Sequence, residues 1–171
     1  SEKKRTENLG RSAMGKLQKN IIKEITKQYR KMGFLAASNT KKELPLFLSG
    51  GVDSTLCGLI GQSLGLSPVA IVFRRDGVQS KDFDQATKTC GKLGWKIHTV
   101  EVPPQDPKDV FFRLVREYGV DRKTELEVLY PFLFMLDEAE RLGFQKIVCG
   151  FNPSPDSDKK QRHNREDSED F

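Results

Sequence analysis

The sequence predicts a three-layer α/β/α domain on a mostly parallel sheet, preceded by a basic amphipathic helix. Three observations carry this. Short apolar runs (Leu44–Leu48, Val69–Phe73, Lys146–Gly150) alternate with longer helical patterns, as strands joined by helical crossovers do. The segment Ile97–Val102 alternates apolar and polar residues, the pattern of a half-covered strand. Finally, Ser49-Gly50-Gly51-Val52-Asp53-Ser54 joins the first apolar run to a helical pattern without a gap.

Taken in order, residues 1–11 are expected to be disordered. From Ser12 to Met32 the apolar residues Met14, Leu17, Ile21, Ile25, Tyr29 and Met32 recur three or four apart on an otherwise lysine-rich helix, and Gly33 is its stop. After the first strand, Leu56, Leu59, Ile60 and Leu64 are expected on the packed face of the second helix. Ser80 can cap a third helix running to Leu93. Val110–Tyr118 ends at Gly119 as a fourth, and Leu129–Leu142 ends at Gly143 as a fifth, with Pro131 marking its first turn. The globular unit is expected to span 12–155, with helix 12–32 at its start. Residues 156–171 are almost wholly polar or charged and are expected to be a disordered tail.

Composition narrows the function classes. A length of 171 residues suits one domain with a sizeable core, and 36% hydrophobic with 31% charged residues suits a soluble protein. No apolar run approaches the roughly 20 residues of a membrane span, and the basic N-terminus lacks the apolar core of a secretory signal. The expectation is a cytoplasmic protein without membrane contact. Cys57, Cys90 and Cys149 are widely spaced and odd in number, which speaks against a disulfide framework or a zinc cluster. They read as buried small side chains. Residues 1–42 hold twelve Lys or Arg against three acids, a balance of +9 within a total of +5. Such an arm can contact nucleic acid, but with no aromatic residues interleaved among the basic ones, a solvated helix face is preferred.

The loop Ser49–Ser54 carries the chemistry. Adjacent glycines let the backbone turn sharply and come close to a ligand. Ser49, Ser54 and Thr55 supply hydroxyls around a helix N-terminus whose amides have no internal acceptor. That is a site for phosphate oxygens. No lysine follows the glycines, so the loop is not of Walker type. S-G-G-V-D-S resembles the PP-loop of the N-type ATP pyrophosphatases, which cleave ATP between its α and β phosphates. In a parallel sheet, ligands sit beyond the carboxyl ends of strands. This brings Leu48–Ser54, Phe73–Gly77 and Cys149–Asn152 to one crevice.

With those segments placed, residues 15–150 resemble the synthetase domain of asparagine synthetase and its relatives. The likeness rests on the loop, the run Phe73–Ala86 with Ser80-Lys81-Asp82, the helix with Pro131, and the strand ending at Gly150. It implies an adenine nucleotide alpha hydrolase-like (HUP-type) fold with ATP and Mg2+ as cofactors. ATP would be bound by Leu48, Ser49, Gly50, Gly51, Val52, Asp53, Ser54, Phe73, Arg74, Arg75, Cys149 and Gly150. Asp53 and Ser54 are the expected catalytic residues. Asp53 is either a magnesium ligand or simply a first-turn helix acid. The implied reaction adenylates a carboxylate, such as aspartate, with pyrophosphate release before amide formation with ammonia. The sequence departs from the family at Phe151, where a glutamate is usual, leaving Asp156 or Asp158 as substitutes. It also begins at Ser1 without a glutaminase domain, so a separate glutaminase subunit is a candidate partner, as is a second copy of the chain. Two alternatives stand beside this reading: a tRNA-modifying PP-loop enzyme, which would want a reactive cysteine pair, and a non-catalytic ATP-binding subunit.

Overall fold

The computed structural model describes residues 2–75, 80–103, 107–119 and 123–150. The expected tail, Phe151 and the candidate acids Asp156 and Asp158 lie outside the described residues, as does Asp76–Gly77 of the second crevice segment. Four strands, β1 (Glu43–Phe47), β2 (Ser67–Arg75), β3 (Lys96–Val102) and β4 (Val148–Cys149), form one sheet in the order β3-β2-β1-β4. Every pairing is parallel. Five helices, α1 (Glu2–Lys31), α2 (Val52–Ser63), α3 (Lys81–Leu93), α4 (Pro107–Tyr118) and α5 (Lys123–Arg141), complete the described elements.

The strand sequences explain the layering. A strand buried on both faces reads as a continuous apolar run. In β1, Leu44 and Leu46 join Ala70, Val72 and Val148 in a core beneath α1, α2 and α3. Phe47 points the other way, with Ile71 and Val100, into a core closed by Met135 and Ala139 of α5. Leu114 of α4 packs on Leu133 of α5 on that side. The chain steps from β1 to β2 to β3 through α2 and α3, then returns through α4 and α5 to place β4 on the other flank of β1. Strand order therefore reverses between β1 and β4, and the crevice beyond their carboxyl ends is the place where such sheets bind ligands.

Several expectations are corrected. Half of the expected face of α2 holds: Ile60 is buried and Leu64 packs on the core, but Leu56 and Leu59 are exposed and Ser54, Gly58 and Gly61 are buried instead. The reason is close approach. A Cβ on Gly58 would fall 2.3 Å from the Trp95 ring, and one on Gly61 2.2 Å from Leu44 Cδ2. Pro131 lies within α5 rather than in its first turn. Its missing amide removes one helical bond, which the burial of Leu133, Met135 and Ala139 in the following turns offsets. The helical backbone of α1 begins at Glu2, ahead of the expected start at Ser12, through residues rich in the helix formers Lys, Arg and Glu. Of the cysteines, only Cys90 is buried; Cys57 is half-buried and Cys149 exposed, because the short edge strand β4 has no neighbour on its outer side among the described residues.

α1 is tied down by its C-terminal half. Tyr29 is buried and donates its hydroxyl to the Cys57 carbonyl at 2.7 Å, joining α1 to α2. Burial, with the Cys57 thiol beside it, pushes the phenol above its ordinary range. Gly33, at φ 83°, ends the helix in the left-handed region, and the Phe34 amide bonds back to the Tyr29 carbonyl. No helix among the described residues is long and apolar enough to cross a membrane.

Candidate functional site

The site begins where β1 stops. Gly50 adopts φ 80°, a conformation that costs an L-residue about 1–2 kcal/mol, and its Cα faces the Asp82 carbonyl so closely that a Cβ would sit 2.4 Å away. The first turn of α3 thus buttresses the loop. α3 is itself anchored there, because Ser80 Oγ accepts the Phe83 amide at 3.4 Å. The N-cap of α2 is Gly51, and no side chain caps that end. The amides of Val52, Asp53 and Ser54 therefore lack the helical acceptors that later turns enjoy. The Gly51 amide is spoken for: it donates to Ser49 Oγ at 3.2 Å.

Hydroxyls hold this turn. Ser54 is buried, and its Oγ accepts the Ser49 amide at 3.3 Å, meets Ser49 Oγ at 3.2 Å and donates to the Gly51 carbonyl at 3.4 Å. Thr55 Oγ1 donates to the same carbonyl at 2.9 Å. Ser54→Ala removes all three Ser54 contacts. We expect it to lower stability by about 1 kcal/mol in urea titrations, the cost of long and partly redundant hydrogen bonds. From the far side, β4 supports the turn: a Cβ on Gly150 would lie 2.7 Å from the Ser54 nitrogen and 2.9 Å from its Cα.

Around this cradle lies a cleft of about 270 Å³. Nine sequence-expected residues line it, namely Leu48, Ser49, Gly51, Val52, Asp53, Ser54, Phe73, Cys149 and Gly150. Three others do not. Gly50 is turned toward α3, and the side chain of Arg74 pairs with Glu101 and lies 5.5 Å over the Phe83 ring, away from the cleft. Arg75 is exposed at the end of β2, beyond Phe73 on the same strand face. The sequence reading missed Phe47, Phe132 and Met135, which make the cleft's apolar wall with Phe73. A signal existed: Phe132 and Met135 are three apart, so they share one face of α5.

The cleft is therefore bipartite. One end offers backbone donors and the positive end of a helix; the other offers aromatic and aliphatic surface, as small-molecule sites do. Burial pushes the Cys57 thiol up, despite a hydrogen bond to Tyr29, so it is held as a thiol rather than a nucleophilic thiolate. Cys149 is the thiol that borders the cleft.

A family model described as asparagine synthase matches residues 36–150, from within the connection between α1 and β1 to the glycine that closes the cleft. The chain belongs to the asparagine synthase family. With that family it falls in the superfamily called PP-loop ATP pyrophosphatases. Among curated proteins, the chain is similar to the tRNA-specific 2-thiouridylase MnmA of Hahella chejuensis, 30% identical over 115 residues that cover 60% of this chain and 32% of that protein. The enzyme of the same name from Pasteurella multocida is 30% identical over 128 residues, covering 67% and 33%. The chain spans about a third of the length of these relatives. Among solved structures it is similar to the NMN synthetase of Francisella tularensis (TM-score 0.46, 17% identity, 70% of this chain and 50% of that one). It is likewise similar to the NH3-dependent NAD synthetase of Campylobacter jejuni (TM-score 0.46, 14% identity, 75% and 55%).

The donor set of this asparagine synthase domain fits a magnesium nucleotide. No cluster of three or more metal-ligating side chains occurs among the described residues. A cation at the exposed Asp53 carboxylate would therefore be shared with phosphate oxygens and water, which is how magnesium ordinarily binds. Its contribution there would be to neutralise phosphate charge.

Proposed function

We propose that the chain is the ATP-binding part of an adenylating carbon–nitrogen ligase. The observation that carries the reading is the uncapped N-terminus of α2, whose amides line the cleft beside Asp53. The β and γ phosphates would lie on the amides of Val52, Asp53 and Ser54, with the adenosine against Phe73, Phe132 and Met135. A substrate carboxylate oxygen attacks the α-phosphorus, the bond to the bridging oxygen breaks, and pyrophosphate leaves. The resulting acyl adenylate is then open to ammonia, which displaces AMP and forms the amide. The domain's part in this is to position the reactants and stabilise charge, which together supply most of the acceleration in such displacements. Aspartate is the first acid to test.

The test is pyrophosphate release from ATP with magnesium, acid by acid, with ammonia present. Release that depends on one acid and stops when EDTA removes magnesium is the expected result. Nucleotide occupancy is read separately: ATP should slow alkylation of Cys149, which borders the cleft, without slowing that of an external thiol. Protection without release under any condition makes the chain a binding subunit. The absence of both protection and release overturns the reading.

A second reading, adenylation of a tRNA base, is favoured by the likeness to the tRNA-specific 2-thiouridylases. Sulfur transfer would want paired reactive thiols. Of the three cysteines, Cys90 is buried and Cys57 is held protonated by its surroundings, which leaves only Cys149 suited to that role. Pyrophosphate release that required tRNA rather than an acid would favour this reading.

A further inference from the structure

The basic arm is not evenly wet. Along α1, Lys16, Lys19, Lys23, Lys27, Arg30 and Lys31 are all exposed. At 3.6 residues per turn these six fall within an arc of about 120° and extend over about 22 Å of helix. The opposite side carries Ile25, Tyr29 and Met32, which pack into the domain core. The cations thus form one row facing directly away from the body of the protein. Among the described residues none of the six is in an ion pair, although Arg74, Lys96, Arg113 and Arg141 elsewhere all are. Glu24, the one acid on this stretch, accepts instead from the Gln28 side chain at 3.1 Å. Helices usually relieve such crowding with acids at i+4, and this one leaves it unrelieved.

We propose that this row is a docking face for the phosphate backbone of a helical RNA. A line of unpaired cations at roughly one-turn intervals complements a polyanion. The only aromatic residue of the stretch, Tyr29, is buried in the core, so single-strand binding by base stacking has no platform here. A helix clamped along one side to its own domain is poorly placed to enter a DNA major groove, the usual mode of sequence reading. Backbone contact without base readout is how duplex RNA is recognised. The row also lies outside the residues that match the asparagine synthase family model, 36–150. The inference is independent of the ATP chemistry.

The test is fluorescence anisotropy with a 16-base-pair RNA hairpin, without nucleotide, over a salt series. The triple variant Lys19→Gln/Lys23→Gln/Lys27→Gln should lose on the order of 100-fold in affinity at low salt. Its log–log salt slope should become shallower by about 3. The triple variant Lys41→Gln/Lys88→Gln/Lys92→Gln, with the same charge loss at exposed positions outside the row, should change neither appreciably. Equal losses in the two variants would reduce the effect to net charge and overturn the proposal. So would binding of a duplex DNA of the same sequence as tightly as the hairpin, or no salt-dependent binding by the unmodified chain. Circular dichroism of both variants checks that α1 remains helical.

Discussion

Gly50→Ala is expected to lower pyrophosphate release by about 100-fold while the domain stays folded. Two independent costs meet at this residue. The backbone sits at φ 80°, and the added methyl would fall 2.4 Å from the Asp82 carbonyl oxygen, 3.2 Å from its carbon and 3.3 Å from its Cα. All three are backbone atoms at the start of α3, a helix fixed there by the Ser80 cap, so they cannot swing aside as a side chain would. The loop must move instead, taking with it the amides that would meet the phosphates. A misplacement of about 1 Å is enough to cost a catalysed displacement a factor of about 10². Stability should fall by only about 1–3 kcal/mol, because the loop is at the rim of the core. The measurements are pyrophosphate release at saturating ATP and a thermal melt. An unimpaired rate would mean that the turn's shape does not serve the phosphates.

The second large effect is on folding. Gly58→Val should lower the free energy of unfolding by about 3 kcal/mol or more in urea titrations. Trp95 lies across Gly58 with its Cη2 and Cζ3 at 2.3 and 2.8 Å from the position of a Cβ, and the ring is only 6% exposed. It is also tethered, since Nε1 donates to Gln62 Oε1 at 3.1 Å, one turn along the same helix. A new side chain must push the indole out or lift α2 from the sheet, and such overpacking commonly costs about 1–3 kcal/mol before any lost hydrogen bond is counted. Gly91 in α3 gives the contrast. Nothing lies within 4 Å of its Cβ position and it is exposed, so Gly91→Ala should stabilise the protein by about 0.5–1 kcal/mol through helix propensity alone. The two substitutions separate a glycine kept for contact from one that is not.

Gly58 also marks the boundary of what the amino-acid sequence discloses. Strands and their parallel pairing were legible, because Leu44–Phe47 and Val69–Phe73 are apolar on both faces and only a doubly covered sheet can use them. The phosphate loop was legible because its glycines, hydroxyls and position after a strand all indicate the same turn. The packed side of α2 was legible only at Ile60 and Leu64. Hydrophobic periodicity assigns Leu56 and Leu59 to the interior, whereas contact with Trp95 and Leu44 selects the smallest residues and leaves those leucines outside. Such selection depends on partners 17 to 37 residues away in the chain, and no local pattern records it. The cleft wall was half legible: Phe73 ends a strand beside the loop, but Phe132 and Met135 arrive from α5, and their place depends on how that helix crosses the sheet. Pro131 misled for a related reason. Local propensity places proline in a first turn, and tertiary burial of the turns beyond it overrides that preference.

The smallest strand has a consequence out of proportion to its size. Among the described residues β4 pairs through two residues, to Leu46 and Phe47, yet a Cβ on the glycine that follows it would fall 2.7 Å from the Ser54 nitrogen. Segments with so few bonds to lose open far more often than the body of a domain. If this one opened away from β1, the floor of the amide cradle would go with it. A nucleotide that grips the cradle can bind only the closed form, and so must hold the sheet's margin shut by mass action. On the proposed function, occupancy of the loop and closure of the margin would be a single equilibrium, and ATP is expected to slow the hydrogen exchange of Val148 and Cys149.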